Sequence, residues 1–121
     1  MMDKWQAIHS VWSSFGIPAY DETDVPDNAV MPYITYSASV SSFEQFVLLS
    51  GSIWYKSNAW DLISQKADAI AEYLRGSKII KIDGGYLYLS QGNPFAQRMA
   101  DEDPTVRRIY ININAEFYTE V

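Results

Sequence analysis

The chain has 121 residues, of which 48% are hydrophobic and 20% charged, a composition typical of a folded globular protein. Its net charge is −6 and its longest basic run is Arg107-Arg108, so the basic surface that sequence-specific nucleic-acid binding requires is absent. The chain has no cysteine, which excludes disulfide bonds, thiolate metal sites and cysteine nucleophiles.

The N-terminal sequence and the hydropathy of the chain indicate in which cellular compartment the protein is expected. The sequence begins MMDKWQAIHSVW, with an Asp, a Lys and a His, and so does not resemble a signal peptide. No apolar run approaches the length that spans a bilayer. We therefore expect a soluble protein without membrane contact, made in a cytoplasm, and a single domain over residues 1–121.

The first half of the chain is predicted to contain a helix, a loop and two strands. Apolar residues at helical spacing predict a helix from Asp3 to Phe15, with Trp5, Ile8, Trp12 and Phe15 as its buried stripe. The segment 18–32 has three prolines and four acidic residues and is predicted to be a long loop. Strands are predicted at Tyr33–Ser39 and Gln45–Lys56.

The second of these strands has apolar side chains on both faces. They alternate in two sets, namely Val47, Leu49 and Ile53 on one face and Phe46, Leu48 and Trp54 on the other. Such a pattern predicts a central strand or one covered on both sides. Gly51, in the middle of the strand, is interpreted as the site of a β-bulge.

A second helix and a hairpin follow. The helix is predicted from Asn58 to Leu74, with Asn58 and Asp61 as a capping box and Gly76 in the left-handed position after it. Its buried stripe consists of Ile63, Ala67, Ile70 and Leu74. The hairpin is predicted from two short strands, Ile79–Ile82 and Tyr86–Leu89, around the turn Asp83-Gly84-Gly85.

The last strand is predicted from strict alternation in RRIYININAEFYTEV. Its apolar face is expected to lie in the core and consists of Ile109, Ile111, Ile113, Ala115 and Phe117. Its polar face is expected at solvent or an interface and includes Arg108, Tyr110, Asn112 and Asn114. The element order α-β-β-α-β-β-β predicts an α+β fold in which two helices pack on a mainly antiparallel sheet.

The sequence offers no catalytic set. His9 is the only histidine and is predicted to be a surface or edge residue, and no Gly-x-Ser-x-Gly pattern is present. The acidic groups at 21–27 and 101–103 lack the ligand spacing of a calcium loop. The glycines between Lys78 and Phe95 lack the Lys and Ser/Thr of a phosphate-binding loop. We predict no enzymatic activity, no metal and no cofactor.

The segment SQGNPFAQRMADEDPTVRR, residues 90–108, has no strand or helix pattern apart from one possible helical turn at Phe95–Ala100. It is interpreted either as a flexible hairpin loop or as an arm that begins at Gly92-Asn93-Pro94 and reaches a neighbouring subunit. In the second interpretation Phe95 and Met99 are the anchors. Three arginines, Arg98, Arg107 and Arg108, would pair with acids.

Several stretches resemble one family across nearly the whole chain. They are GIPAYDETDVPD, PYITY, SIWYKSNAWDLISQKADAIAEYL, IDGGYLYL, GNPFAQRMADED and RRIYININAEF. Together they resemble the small minor tail or minor capsid proteins of long-tailed bacteriophages and prophages, which are similar to tail terminator (tail completion) proteins.

The resemblance implies a virion structural protein, assembled in the host bacterial cytoplasm. It implies a homohexameric ring at the head-proximal end of the tail that stops polymerisation of the major tail tube protein and docks on head–tail connector proteins. Subunit contacts are then expected in the segments 18–32 and 90–107 and on the polar face of the last strand. The candidate interface residues are Tyr20, Asp21, Phe95, Arg98, Met99, Arg107, Arg108, Tyr110, Asn112 and Asn114.

Two alternatives stay open. The first is a head-completion or connector subunit, which lies one layer nearer the head. The second belongs to another class, a small hydrolase or ligand-binding α+β domain, in which Asn112 and Asn114 would line a site. A deep pocket with a strongly perturbed carboxylate would support it.

Overall fold

A computed structural model of the protein describes residues 2–40 and 46–119. In chain order these residues form α1 (Lys4–Ser13), β1 (Ala19–Asp21), β2 (Tyr33–Tyr36), β3 (Phe46–Lys56), α2 (Asp61–Tyr73), β4 (Lys78–Ile82), β5 (Gly85–Met99) and β6 (Val106–Thr119). Gln45, the predicted first residue of the third strand, lies outside the described residues.

The strands form one sheet in the order β1-β2-β3-β6-β5-β4. Neighbouring strands are antiparallel except β1 and β2, which run parallel. Two helices on a mainly antiparallel sheet confirm the predicted α+β fold. Strand β1 is an addition, because it lies inside the segment 18–32 that is predicted to be a loop. Three residues are too few to show a period, and tertiary pairing with β2 makes this strand.

Both helices cover the same face of the sheet. The core lies between them and the alternate residues of the strands, and the apolar face predicted for β6 is buried at all its positions, Ile109, Ile111, Ile113, Ala115 and Phe117. The contribution of α2 is the predicted one, from Ile63, Ala67, Ile70 and Leu74. Burial of these side chains supplies the main favourable free energy of folding.

Helix α1 begins as predicted but presents a different face. Asp3 caps it in a full capping box: its carboxylate accepts from the Gln6 backbone N–H at 2.8 Å, and the Gln6 side chain accepts from the Asp3 N–H at 2.9 Å. The buried residues of the helix are Ala7, Ile8, Val11 and Trp12. Trp5 is 58% exposed, so its predicted place in the stripe is wrong. It falls at the edge of that stripe in the 100° helical rotation.

Helix α2 starts later than predicted and without the predicted capping box. Its N-cap is Trp60, which makes no side-chain cap bond. The Asn58 carbonyl instead accepts from Arg107 Nη2 at 2.6 Å, which ties this loop to the start of β6. The end of the helix agrees with the sequence, because Gly76 adopts a φ of +72° as predicted for a left-handed position.

Gly51 is not a bulge, because β3 pairs with β6 in continuous register from Phe46 to Lys56. The glycine is required by close packing of α1 on the sheet. A Cβ at this position would lie 3.0 Å from Trp12 Cη2 and 3.1 Å from the Thr35 carbonyl oxygen. A glycine in the middle of a strand can mark either a bulge or a close approach of another element. Here it marks the close approach of α1 to the strand.

The hairpin at 82–85 is confirmed, with Ile82 paired to Gly85 and Gly84 at a φ of +78°. The strand after it does not end at Leu89 but continues to Met99. The predicted helical turn at Phe95–Ala100 is therefore wrong, and so is the arm released at Gly92-Asn93-Pro94.

The second half of β5 cannot be recognised from the sequence because a large bulge interrupts the strand. Gln91 pairs with Ile113 and Ala96 with Ile111, so four residues of β5, 92–95, stand opposite the single residue Asn112. The interruption destroys the alternation of apolar and polar residues on which strand prediction rests. Gly92 permits the close crossing, because a Cβ there would lie 2.7 Å from the Asn112 carbonyl oxygen.

Truncating a buried and an exposed isoleucine to alanine should have clearly different effects on the free energy of unfolding. Ile111→Ala should lower the free energy of unfolding by about 2–5 kcal/mol, because Ile111 is fully buried. Ile79→Ala is the matched control in β4; its side chain is 64% exposed, so the loss should stay below about 1 kcal/mol. Urea denaturation of both variants tests this, and equal losses would contradict the burial pattern.

Candidate interaction surface

The face of the sheet opposite the helices is the candidate site. We call it the open face. Its central row is formed by alternate residues of β6, from Arg108 to Tyr118, and register places side chains of β3 on one side of this row and of β5 on the other. Both helices pack on the other side of the sheet, so no helix of the described chain covers this surface.

One end of the open face is apolar. We call it the aromatic patch, and it consists of Phe46, Leu48, Ile79, Tyr86, Tyr88 and Tyr118. Phe46 and Tyr88 both pair with Glu116, from opposite sides, so Glu116 lies between the β3 half of the patch and the half formed by β4 and β5. Phe46 is 63% and Leu48 50% exposed. A shallow depression of about 370 Å³ lies between Ile79 and the three tyrosines.

The tyrosines of the aromatic patch are held in place. Tyr88 and Tyr118 pack edge to face with their ring centroids 6.3 Å apart. The Tyr88 hydroxyl donates to Ser77 Oγ at 2.8 Å, and the Tyr118 hydroxyl donates to the Glu116 carboxylate at 2.5 Å. The bond to Glu116 raises the pKa of Tyr118. Ordered rings lose little conformational entropy when a partner covers them.

The other end of the open face is a polar cleft of about 440 Å³. Hydroxyl groups dominate its lining, which consists of Glu22, Thr35, Ser37, Ser50, Gly51, Ser52, Trp54, Arg108 and Tyr110. The Arg108 guanidinium lies over the Trp54 ring, 4.8 Å from its centroid. Its Nε donates to Ser52 Oγ at 2.9 Å. Trp54 is fixed in turn, because its indole N–H donates to Thr35 Oγ1 at 2.9 Å.

Asn112 and Asn114, at the centre of the open face, stabilise the β5 bulge through their side-chain amides. Asn112 is 8% exposed; its Nδ2 donates to the Pro94 carbonyl at 3.1 Å and its Oδ1 accepts from Ser50 Oγ at 3.0 Å. Asn114 Nδ2 donates to the Gln91 carbonyl at 3.1 Å. Both amides thus satisfy carbonyls in or beside the β5 bulge, where regular pairing is interrupted.

The three predicted arginines are separated by the structure. Arg98 and Arg107 lie on the helix side, with their guanidinium carbons 4.6 and 5.2 Å from the centroid of the Trp60 ring. Arg107 also donates to the carbonyls of Pro104 at 3.1 Å and Asn58 at 2.6 Å. Only Arg108 of the three is on the open face. Within the described part of the chain, none of the three lies within ion-pair distance of a carboxylate.

The other predicted interface residues are divided in the same way. Tyr20 and Asp21 lie on β1, and the Asp21 carboxylate accepts from Thr23 N at 2.9 Å and Thr23 Oγ1 at 2.7 Å. These bonds lower the pKa of Asp21. Phe95 is half-buried and packs against the core, whereas Met99 is 37% exposed and pairs with Arg108. Met99, Arg108 and Tyr110 therefore come together, and Phe95 does not join them.

The turn between β5 and β6 is an ordered structure. Thr105 donates to the Asp103 carboxylate through its N–H at 2.8 Å and its hydroxyl at 2.7 Å. Lys56 Nζ lies 3.2 Å from the same carboxylate. The Thr105 side chain, the Thr105 N–H and then Lys56 lower the pKa of Asp103 to about 2. The Asp103 N–H in turn donates to Asp101 Oδ1 at 3.0 Å.

His9 and the acidic residues were considered as sites of chemistry. His9 is on the exposed side of α1, as predicted, with Nδ1 2.7 Å from the Tyr36 hydroxyl and Nε2 3.1 Å from Ser13 Oγ. Within residues 2–40 and 46–119, no three His, Cys, Asp or Glu side chains are grouped so that they could hold a metal ion. Over the same residues, no helix is long and apolar enough to cross a membrane.

Sequence reasoning missed the aromatic patch, although its signal is present. The apolar residues on both faces of β3 predict a central strand or one covered on both sides; β3 does lie inside the sheet, between β2 and β6, but Phe46 and Leu48 on its second face are exposed. A second signal is the tyrosines at alternate positions, Tyr86 and Tyr88 on β5 and Tyr118 on β6. Aromatic residues on an otherwise polar strand face are typical of an interface.

Comparisons with known proteins concern the fold. No protein-family model matches the chain, and no curated protein matches it. Among solved structures, the chain is similar to a chain in the virion of a native gene transfer agent (GTA) particle, with a TM-score of 0.54 and 15% sequence identity. The match covers 89% of this chain and 84% of that chain, so it extends over nearly the whole fold.

The depressed pKa of Asp103 can be measured. A carbon-detected NMR titration of its carboxyl group should give a midpoint near 2, below the ordinary value of 3.8. Because the folded-state pKa is lowered, this carboxylate stabilises the folded turn above about pH 4, and the contribution is lost as the pH falls toward 2. Thr105→Val should raise the midpoint more than Lys56→Met does. A midpoint of 3.8 in the unsubstituted chain would contradict the turn geometry.

Phe95 and Met99 should differ in what they stabilise. Phe95→Ala should lower the free energy of unfolding by about 1–3 kcal/mol, because the ring is half-buried against the core. Met99→Ala, at an exposed strand end, should change it by less than about 0.5 kcal/mol. Thermal denaturation compares the two. Equal stability of both variants would show that Phe95 is a surface anchor after all.

Proposed function

We propose that the protein is a structural protein of a phage-like virion and belongs to the tail terminator (tail completion) type. In this proposal, copies of the chain form a ring at the head-proximal end of the tail, end the polymerisation of the tail tube protein and join the tail to the head. It is assembled in the host cytoplasm and acts as a building block, not as an enzyme. One domain, residues 1–121, is the repeating unit of the ring.

The observation that carries the proposal is the open face. It combines the aromatic patch with a polar cleft, and no helix of the described chain covers it. An exposed apolar patch on an ordered sheet is typical of a protein–protein interface. The fold is shared with a chain of a gene transfer agent virion, and the sequence resembles minor tail proteins.

The physical basis of assembly follows from the chemistry of this face. The chain carries a net charge of −6, so copies repel each other at long range. Association therefore has to be driven by burial of apolar surface, at about 25 cal/mol per Å². Phe46, Leu48 and the tyrosines supply this surface, and salt should strengthen assembly by screening the repulsion between copies.

A head-completion or connector subunit is the second candidate, because the same open face would serve it. The two differ in the partner. A terminator binds the growing end of the tail tube, whereas a connector subunit binds the head without the tube. The hydrolase alternative has less support, because the polar cleft contains one carboxylate, the exposed Glu22, and no histidine.

Substitution on the open face should block assembly without unfolding the chain. Leu48→Glu places a charge in the aromatic patch, and the matched control Leu62→Glu places one on the outer surface of α2; the two leucines are 50% and 60% exposed. A phage-type tail tube protein is polymerised in vitro with each variant. Electron microscopy then measures tube length.

The unsubstituted chain and Leu62→Glu should cap tubes and shorten them, and Leu48→Glu should leave tube length uncontrolled. Circular dichroism should show all three folded. Equal capping by both variants would show that the open face is not the interface. If the unsubstituted chain leaves tubes uncapped but binds purified heads, the connector function replaces the terminator function.

A further inference from the structure

The Arg108 guanidinium is held in an orientation that suits binding of an anionic group from another molecule. Stacking on Trp54 and the bond from Nε to Ser52 fix the plane of the guanidinium. The hydrogen bond made by this side chain in the described structure uses Nε, and no acceptor among the described residues binds Nη1 or Nη2 of Arg108, which lines the cleft. A fixed guanidinium with its two terminal nitrogens free is suited to bidentate binding of a planar anion.

The cleft favours a single carboxylate over a phosphate-rich ligand. Ser52 is 3% exposed, and its oxygen accepts from Arg108, so its hydroxyl hydrogen remains available as a donor. Tyr110 adds another hydroxyl to the wall. The exposed Glu22 at the rim and the net charge of −6 oppose a polyanion. One carboxylate, bound between Arg108 and the hydroxyls, meets these conditions.

The same molecule presents a carboxylate, that of Glu102, which has no ion-pair partner among the described residues. Glu102 lies at the exposed tip of the β5–β6 turn. Its neighbours are occupied, because Asp101 accepts from the Asp103 N–H and Asp103 binds Thr105 and Lys56. These bonds hold the turn, so Glu102 is displayed on an ordered loop. Within one chain it does not reach Arg108, since no ion pair joins them in the described structure.

We infer that Glu102 of one copy binds Arg108 in the polar cleft of the next copy. The inference rests on the proposed function, because it requires that copies of the chain associate. In the ring of the proposed function, each copy would present its turn to one neighbour and its cleft to the other, and such a heterologous contact generates a ring when the rotation closes. It also pairs charges between copies of an acidic chain, which fixes register while the aromatic patch supplies burial.

Cross-linking tests the contact directly, and the chain has no native cysteine to interfere. One copy carries Ala100→Cys beside the turn, and a second carries Ser37→Cys in the cleft wall; both keep Arg108 and Glu102. The copies are mixed with tail tube protein and treated with a short bis-maleimide. The control replaces Ser37→Cys with Gln65→Cys, on the exposed surface of α2.

The Ala100–Ser37 pair should give a cross-linked dimer that the Ala100–Gln65 pair does not. Adding Arg108→Glu to the Ser37→Cys copy should reduce the yield at least about tenfold, as expected for a close charge pair. Adding Glu102→Arg to the Ala100→Cys copy should restore it. Arg75→Glu, at an exposed arginine beside Glu72 on the helix side, should leave the yield unchanged.

Two results would overturn the inference. If the chain caps tubes but the Ala100–Ser37 yield equals the Gln65 control, or is unaffected by Arg108→Glu, the copies associate through other contacts. In that case the proposed function stands and the Glu102–Arg108 pair does not. If the unsubstituted chain does not associate at all with tube protein present, both fail.

Discussion

Strand β6 is the element on which the rest of the structure depends. It pairs along its length with β3 on one side and with β5 on the other, so it carries the centre of the sheet. Its odd-numbered residues from Ile109 to Phe117 form the middle of the core, and its even-numbered residues form the middle of the open face. One period-2 sequence therefore defines both the inside of the fold and its proposed contact surface.

Placing both helices on one face has a direct consequence for the other face. A sheet with one covered face is stable alone only when its second face tolerates water. Here the centre of that face is polar, with Asn112 and Asn114 bound to the β5 bulge, whereas one end is apolar and the other holds the arginine cleft. The two ends supply what an interface needs, apolar area at one end and directional polar groups at the other.

The sequence predicts those parts of the fold that depend on local periodicity. Strict alternation in β6, the helical stripe of α2 and the Asp83-Gly84 turn were all confirmed, because each is decided by neighbours in sequence. The far half of β5 could not be predicted in this way. Its bulge is held by Asn112 and Asn114 from another strand, and this long-range support leaves no local period. The arm interpretation of residues 90–108 failed for that reason.

The candidate surface was predicted in part. Arg108 and Tyr110 follow from the polar face of the last strand, and Met99 joins them through its register with Arg108. Phe95 looks like an exposed anchor in the sequence but packs on the core, and Arg98 and Arg107 turn to Trp60 on the helix side. The aromatic patch is assembled from β3, β4, β5 and β6. Only the sheet order brings its members together, so no single stretch of sequence contains it.

The central claim is that the open face is buried between copies of the chain at the end of a tail. Cryo-electron microscopy of tail tubes assembled with this protein tests it most directly. The account predicts a closed ring on one end of the tube, with Leu48 and Arg108 inside the contacts between its subunits. A single copy on the tube end, or a ring in which the open face remains solvent-exposed on every copy, would contradict it.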